Sequence, residues 1–335
     1  MRLAIIGLRN HAARMAGLVA IHPKISSLLF YHPDNTRISV EPFPALPKPV
    51  ERSSDFAAVL ACDGVVIASP HNTHFDYILR LVESPLFVLC EKPPASTEAQ
   101  LNQLASLPSE QKARIAFNFN YAHTDFAIVV REKLSEGSLG CPLMMNVTAS
   151  HGLAFKAAFA NNWRMTDSDP FSTILGNLGI HYVHMILDLI GPVADWRLTR
   201  WAASPQTRGV DSIALMVDTV QRVAAHIFLS YAAPYVNSCR LILTDGIISL
   251  DNGQVTIAGP RDSFDDRGRF VTPPETIHSD AGSSLDYYNT SIVRSLNRFI
   301  DGVVTQSGFD IACFSRALDA ARLIIQFDRC SDTCV

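Results

Sequence analysis

Cys90-Glu91-Lys92-Pro93-Pro94 follows directly on the apolar run Leu86-Phe-Val-Leu-Cys90. A buried strand that ends in an ionic pair and then meets two prolines cannot continue, so one lysine is fixed at its carboxyl end. Open α/β sheets bind their ligands along that edge. Burial or a neighbouring cation lowers the proton affinity of a lysine held there, which suits acid–base chemistry. For Glu-Lys-Pro taken alone, the plainer alternative is a strand-to-loop turn with a surface ion pair.

A second candidate lies at the start of the chain. The apolar stretch Leu3–Ile6 runs into Gly7-Leu-Arg-Asn-His-Ala12 and then into a helical pattern. A Gly-x-Gly-x-x-Gly fingerprint belongs at this point, where free N–H groups of a helix N-terminus hold a pyrophosphate. Only the first glycine is present. Arg9 replaces the second and Ala12 the third, so Gly7, Arg9, Asn10 and His11 become the candidate cofactor-binding set, with Arg9 offering positive charge to the phosphates. A plain β-α turn is the alternative. After strand two the chain reads Phe30-Tyr-His-Pro-Asp34. The place of the usual ribose-binding carboxylate is taken by Tyr31 or His32. With Arg9 and Arg37 near, both NAD and NADP stay open as cofactors.

The pairs His71/His74 and His181/His184 have helical metal-ligand spacing. Without a motif carboxylate they carry little weight as a metal site, and no metal is expected. Neither a Gly-x-Ser-x-Gly elbow nor a phosphate-binding P-loop is present, which removes the hydrolase and kinase readings.

The elements that must position these residues follow from hydrophobic periodicity. Over 1–119, strands are expected at Leu3–Ile6, Ile25–Tyr31, Gly64–Ala68, Leu86–Cys90 and Arg114–Phe119. Helices are expected at Ala12–Ile21, Asp55–Ala61, Phe75–Glu83 and Glu98–Ala105. Regular β-α alternation implies a doubly wound parallel sheet. The four-proline segment Glu41–Val50 reads as an irregular loop. Beyond about residue 140, longer strands follow at Leu143–Ser150, Asp195–Trp201, Ser212–Val217, Arg222–Tyr231, Cys239–Thr244 and Ile247–Leu250. In Arg222–Tyr231, Val223, Ala225, Ile227, Leu229 and Tyr231 share one face. Thr244-Asp-Gly246 signals a hairpin. Helices Ser284–Ile300 and Ile311–Phe327 close the chain. The expected organisation is α/β followed by α+β: a domain over 1–119, then a mostly antiparallel sheet with helices on one face over 120–335.

At 335 residues the chain is long enough for two domains. Its net charge of −4 and lack of a basic tract argue against nucleic acid as a partner. No apolar run reaches the roughly 18 residues that span a bilayer, so no membrane partner is expected. Seven scattered cysteines, at 62, 90, 141, 239, 313, 330 and 334, read as free thiols of a reducing compartment, the cytoplasm.

Taken in order, these segments resemble the glucose–fructose oxidoreductase / inositol dehydrogenase (Gfo/Idh/MocA) family. Asp63-Gly-Val-Val-Ile-Ala-Ser-Pro-His-Asn-Thr-His74 is similar to the family's strand, turn and histidine beneath the nicotinamide. Cys90-Glu-Lys-Pro93 matches its signature lysine motif. Ala116-Phe-Asn-Phe-Asn-Tyr121 is similar to the segment leaving the nucleotide domain, with Asn120 in place of a common arginine. Trp163-Arg164 resembles a pair preceding the substrate site. Leu175-Gly-Asn-Leu-Gly-Ile-His-Tyr-Val-His184 resembles the helix bearing the catalytic histidine.

The resemblance implies a Rossmann domain, a sheet domain whose open face makes homodimers or homotetramers, and NAD(P)-dependent oxidation or reduction of sugars, sugar nucleotides or polyols. Glu-Lys-Pro-Pro, Phe-Asn-Phe-Asn and Asn-x-x-x-His further resemble members associated with bacterial surface-polysaccharide sugars. It places Ser69, Pro70, His74, Glu91 and Lys92 at the cofactor, with a bland alternative for Glu91 of fixing its turn. It places Asn118, Trp163, Arg164 and Asn177 at the substrate. Tyr287 and Tyr288 begin the long helix, where Tyr288 is a candidate lining residue of the sugar pocket and core packing is the alternative.

Lys92 and His181 are the candidate catalytic pair. An aspartate often precedes this histidine by four residues, and here that position is Asn177. An amide orients an imidazole but cannot balance its charge. Either Lys92 is the principal base, or His181 positions the hydroxyl while Asn177 binds substrate. A third outcome is a weak enzyme that serves as a nucleotide or sugar sensor or an assembly partner.

Overall fold

Six strands, β1 (Arg2–Ile6), β2 (Ser27–Tyr31), β3 (Val50–Ser53), β4 (Gly64–Ile67), β5 (Phe87–Glu91) and β6 (Ile115–Asn118), pair in parallel in the order β3-β2-β1-β4-β5-β6. The computed structural model describes residues 1–40, 45–162, 169–207, 209–260 and 264–329. β4 and β5 are buried along their whole length, as expected for parallel strands covered on both faces. The strand order reverses between β1 and β4, so the carboxyl ends of these strands flank a topological switch point.

Helices α1 (Asn10–Ala20), α2 (Asn35–Val40), α3 (Phe56–Leu60), α4 (His74–Leu81), α5 (Glu98–Ala105) and α6 (Ser109–Lys112) connect them. Local chemistry sets several of their starts. Asp55 accepts a hydrogen bond from the Ala57 amide, and Thr97 accepts one from Gln100. β3 falls partly within and partly beyond the segment read from the sequence as irregular loop. It is an exposed edge strand with no apolar pattern, held by pairing with β2 from Leu28↔Val50 to Tyr31↔Ser53.

The chain divides into two units. One comprises Met1–Phe119 and Ile292–Arg322, the other Asn120–Ser291 and Leu323–Val335. The sequence reading kept 120–335 together; residues 292–322 pack with the first unit instead, with Phe299 and Val303 against Gly64. The two terminal helices, α9 (Ser284–Thr305) and α10 (Ile311–Arg329), therefore each contribute residues to both units.

The second unit holds an eight-stranded sheet in the order β14-β13-β12-β11-β7-β10-β9-β8. Its strands are β7 (Pro142–Ser150), β8 (Val193–Trp201), β9 (Ser212–Thr219), β10 (Ala224–Ser230), β11 (Val236–Leu243), β12 (Ile247–Asp251), β13 (Gln254–Ala258) and β14 (Glu275–Asp280). All neighbours are antiparallel except β7 and β10. Alternation is clear: Val223, Ala225, Ile227, Leu229 and Tyr231 are each at most 3% exposed. Helix α7 (Asp125–Glu136) packs on β12 and on α8 (Ile180–Leu189) on the covered side.

Two expectations needed correction in this unit. Arg222 is not the first residue of a strand. It takes a left-handed φ of 62° in the turn after β9, and its amide bonds back to Thr219 O at 2.9 Å. The exposed strand β14 and the short β13 carried no periodic signal strong enough to be read. The hairpin at Thr244-Asp-Gly246 forms as its turn chemistry requires, with Leu243 N on Gly246 O at 2.9 Å.

Candidate functional site

The end of β1 fits a dinucleotide loop despite its missing glycines. Gly7 has φ +128°, and a Cβ there would lie 2.6 Å from Ala68 O, so no other residue is accommodated without a shift. Arg9 is exposed, with φ −87° and ψ 177°, an extended conformation that needs no glycine. Ala12 is 1% exposed, so its small side chain suits the tight packing of the third motif position. The N-cap Arg9 side chain makes no capping hydrogen bond and the first turn of α1 carries no acid, which suits an anion at this helix start.

The other strand ends converge on the same carboxyl edge of the sheet. His32, half-buried after β2, accepts a hydrogen bond from the Asp34 amide at Nδ1, 3.0 Å away. The Asp34 carboxylate serves its own turn: it accepts from the Thr36 amide at 2.9 Å and hydroxyl at 2.6 Å, and lies 3.6 Å from the Arg37 guanidinium. These bonds, the Thr36 hydroxyl foremost, hold the Asp34 carboxyl below its usual range. Ser69 follows β4, with its hydroxyl 2.7 Å from that of Thr73, and Pro70 is exposed.

Glu91, the last residue of β5, is a hub. Its Oε1 accepts from His11 Nε2 at 2.8 Å and from Asn118 Nδ2 at 2.6 Å. Asn118 Oδ1 in turn accepts from Ser295 Oγ at 2.7 Å. Burial alone would raise the Glu91 carboxyl, but the His11 charge, the bonds from His11 and Asn118, and the Lys92 charge together bring it down to about 2. The Glu91 charge in turn raises His11, against burial and the charges of Lys92 and Arg14. Lys92, one residue on, is half-buried and precedes the buried Pro93.

His74 is enclosed rather than open to a ligand. It is 1% exposed, with Nδ1 2.9 Å from Pro93 O and Nε2 3.0 Å from Ser69 O. The ring ties the loop after β4 to the segment after Lys92. Burial lowers its proton affinity, while the two carbonyls and Glu91 pull the other way. Asn118, expected from the family pattern at the substrate, is 2% exposed with both ends of its amide bonded inside the first unit. Ser295, its partner 177 positions away, has no local sequence signal.

In the second unit, Leu175–Gly179 forms a π-helical turn that leads into α8. Such turns are frequent at functional sites. Gly176 is required by close packing, since a Cβ there would lie 2.1 Å from Pro170 O. Asn177, half-buried within this turn, donates from Nδ2 to Tyr231 Oη at 3.1 Å. His181, on α8 and 7% exposed, stacks on Tyr121 with ring centroids 4.5 Å apart. Tyr288 meets Tyr121 edge-on at 6.3 Å and is half-buried. Tyr121, Tyr231 and the exposed His151, which stacks on Tyr231 at 4.6 Å, were not singled out from the sequence. Trp163 and Arg164 lie outside the described residues, as do the side chain of Asn10 and the cysteines at 330 and 334. Among the described residues no group of three or more potential metal ligands occurs.

Residues 1–119 match the family model for the oxidoreductase family, NAD-binding Rossmann fold, and residues 128–249 match the model for the GFO/IDH/MocA C-terminal domain. Glucose-6-phosphate 3-dehydrogenase of Bacillus subtilis is 27% identical over 127 residues, 38% of this chain and 36% of that protein. The D-glucoside 3-dehydrogenase of Escherichia coli is 30% identical over 78 residues, 23% of this chain and 22% of that protein. These matches span little more than a third of the relatives' lengths at most. Solved structures match over nearly the whole chain. A levoglucosan dehydrogenase in complex with NADH and levoglucosan has a TM-score of 0.76 at 16% identity, covering 98% of this chain and 97% of its own. A myo-inositol dehydrogenase of Corynebacterium glutamicum gives 0.75 at 17%, covering 98% and 96%. At such identities the likeness establishes the fold. With both halves matched by models of one family, the chain belongs to the GFO/IDH/MocA oxidoreductase family.

Proposed function

We propose that this protein is an NAD(P)-dependent oxidoreductase acting on a CH–OH group of a sugar or sugar nucleotide. The observation that carries this is Lys92 at the carboxyl end of β5, beside a Glu91 that is bonded to the first turn of α1. The residue that precedes the lysine is thus bonded to the first turn of α1, which ties the end of β5 to the turn after β1. The relatives named for glucose 6-phosphate, D-glucosides, D-xylose and levoglucosan support the sugar class.

The bound nicotinamide supplies the hydride acceptor or donor. When a dinucleotide is bound, Gly7, Arg9, His11 and the N-terminal amides of α1 would hold its pyrophosphate, and His32 would meet the adenosine ribose. Lys92 takes the hydroxyl proton at Nζ during oxidation and returns it during reduction. The ring of His181, stacked on Tyr121, orients the hydroxyl or shares the proton transfer, and Asn177 binds substrate. His74 and Asn118 act behind Lys92 as positioning residues. Sugars destined for surface polysaccharides are the finer substrate class, supported by the Glu-Lys-Pro-Pro and Phe-Asn-Phe-Asn segments.

We further take the protein to work as a homodimer or homotetramer through the open face of the eight-stranded sheet, in the cytoplasm. Five described cysteines, all free, are consistent with a reducing compartment.

The test uses purified protein, NAD+ and NADP+, and a panel of sugars and nucleotide sugars, with reduced cofactor followed by absorbance. At least one substrate should be oxidised. Lys92→Ala should lower kcat by about 10²–10⁴-fold while NADH binding persists. Undiminished turnover in that variant would overturn the catalytic assignment. Cofactor and sugar binding without any reduction would favour the sensor.

A further inference from the structure

Asp211, just before β9, is a carboxylate taken wholly out of water. Four donors reach it. Oδ1 accepts from the Ala203 amide at 2.9 Å and from Ser212 Oγ at 2.8 Å. Oδ2 accepts from the Ser204 amide at 2.9 Å and from Thr207 Oγ1 at 2.7 Å. None of the four is a cation, so oriented dipoles hold this group. Burying a carboxylate is costly unless its lone pairs are filled in this way. A filled polar network confines the groups it joins to one arrangement.

The arrangement confined here is that of Tyr231. As a carboxylate Asp211 only accepts, so the single hydroxyl proton of Ser212 is committed to Oδ1. Ser212 Oγ must then accept from Ser230 Oγ, 2.8 Å away, and Ser230 Oγ accepts from the Ala232 amide at 2.9 Å. Every donor in this row points toward Asp211, and the row straddles position 231. Between its ends, the Tyr231 amide donates to the main-chain carbonyl of Asp211 at 2.8 Å. The Tyr231 side chain is fully enclosed, with the Phe159 ring edge-on at 5.5 Å. Its hydroxyl accepts from Asn177 Nδ2 at 3.1 Å. Tyr231 is therefore a buried post, and the half-buried Asn177 rests on it.

We propose that Asp211 is a positioning residue of the substrate site: through Ser212 and Ser230 it fixes Tyr231, and Tyr231 fixes the amide of Asn177. This rests on the reading of Asn177 as a substrate-binding residue of an oxidoreductase. Asp211 acts on orientation alone. A Tyr231 hydroxyl that shifts takes the Asn177 amide with it, and hydrogen bonds weaken steeply with misalignment. Thr207 offers a control, because its hydroxyl serves the same carboxylate and the row to Tyr231 bypasses it.

The test compares two single-hydroxyl deletions, using a sugar that the cofactor assay shows to be oxidised. Ser212→Ala and Thr207→Ala each take one donor from Asp211, so both should lower the melting temperature. Ser212→Ala should also raise KM for the sugar by roughly two- to tenfold, the range of one neutral hydrogen bond, with kcat changed by less than about twofold. Thr207→Ala should leave KM as in wild type. Asn177→Ala should raise KM by a similar factor to Ser212→Ala, and combining the two should raise it no further. Asp211→Asn should raise KM at least as far as Ser212→Ala; if it does not fold, the two hydroxyl deletions decide. Equal KM changes in Ser212→Ala and Thr207→Ala, or full additivity of Ser212→Ala with Asn177→Ala, would overturn the positioning role and leave the oxidoreductase reading intact. A wild-type KM in Asn177→Ala would remove Asn177 from the substrate site and this proposal with it. If no sugar is oxidised, both readings fall.

Discussion

His74 joins two loops rather than facing outward. Its ring nitrogens lie against Ser69 O and Pro93 O, and it is almost fully enclosed. The neutral ring donates its one N–H to one of these carbonyls, and removing it leaves that inward-facing carbonyl without a donor, costing about 1–3 kcal/mol. His74→Ala should therefore lower the melting temperature by several degrees, measured by circular dichroism. The pH dependence has a definite sign. Burial lowers the folded-state affinity of His74 for a proton, so below 6.5 the unfolded chain binds more protons. Its contribution to stability is complete above 6.5 and is lost as pH falls through the folded value. Denaturant midpoints across pH 5–8 should show this acid loss in wild type and a smaller one in His74→Gln. Equal acid loss in both would reassign it to another group.

On the proposed function, the turn between β1 and α1 would meet the cofactor, and Gly7 is its least replaceable residue. A φ of +128° and the nearness of Ala68 O exclude a side chain. Strain of this kind costs on the order of 1–3 kcal/mol. Gly7→Ala should both lower the melting temperature and weaken NADH binding. Unchanged binding would mean that the loop readjusts and does not contact the pyrophosphate. Elements with a strong inner face were legible from periodicity: Glu98–Ala105 was placed to the residue, and β10 kept its buried face. Elements without one were not. The edge strands β3 and β14 are largely exposed, so their existence depends on backbone pairing with a neighbour. Helix α7 carried adequate signals, a Thr124 cap and Gly137 at φ 66°, that had gone unread.

At the level of the molecule, the eight-stranded sheet leaves one face open in the described residues. Arg197, Met216, His226, Asn146, Arg240 and Ser249 lie in one cross-strand row, and Met216 is 48% exposed. Trp201 stacks on Phe228 at 6.0 Å in the neighbouring region. An antiparallel sheet tolerates water on such a face, yet its mixed apolar and charged surface also suits a second copy. Met216→Arg places a further cation beside Arg197 and should shift a dimer or tetramer to monomers in sedimentation velocity, with an unchanged circular dichroism spectrum. A monomeric wild type at micromolar concentration would end the homo-oligomer proposal.

From its order of residues alone the chain disclosed its family, the alternation of strands and helices in its first third, and the lysine at the end of β5. These follow from short-range rules: hydrophobic period, turn chemistry and a motif held within a few residues. What the sequence withheld was partnership. His11 meets Glu91 across 80 positions, and Ser295 meets Asn118 across 177. The amide of Asn118, expected at a substrate, is turned into the first unit, and residues 292–322 return to that unit. Polar groups removed from water must find donors and acceptors wherever packing brings them, and that choice is made only when distant segments meet.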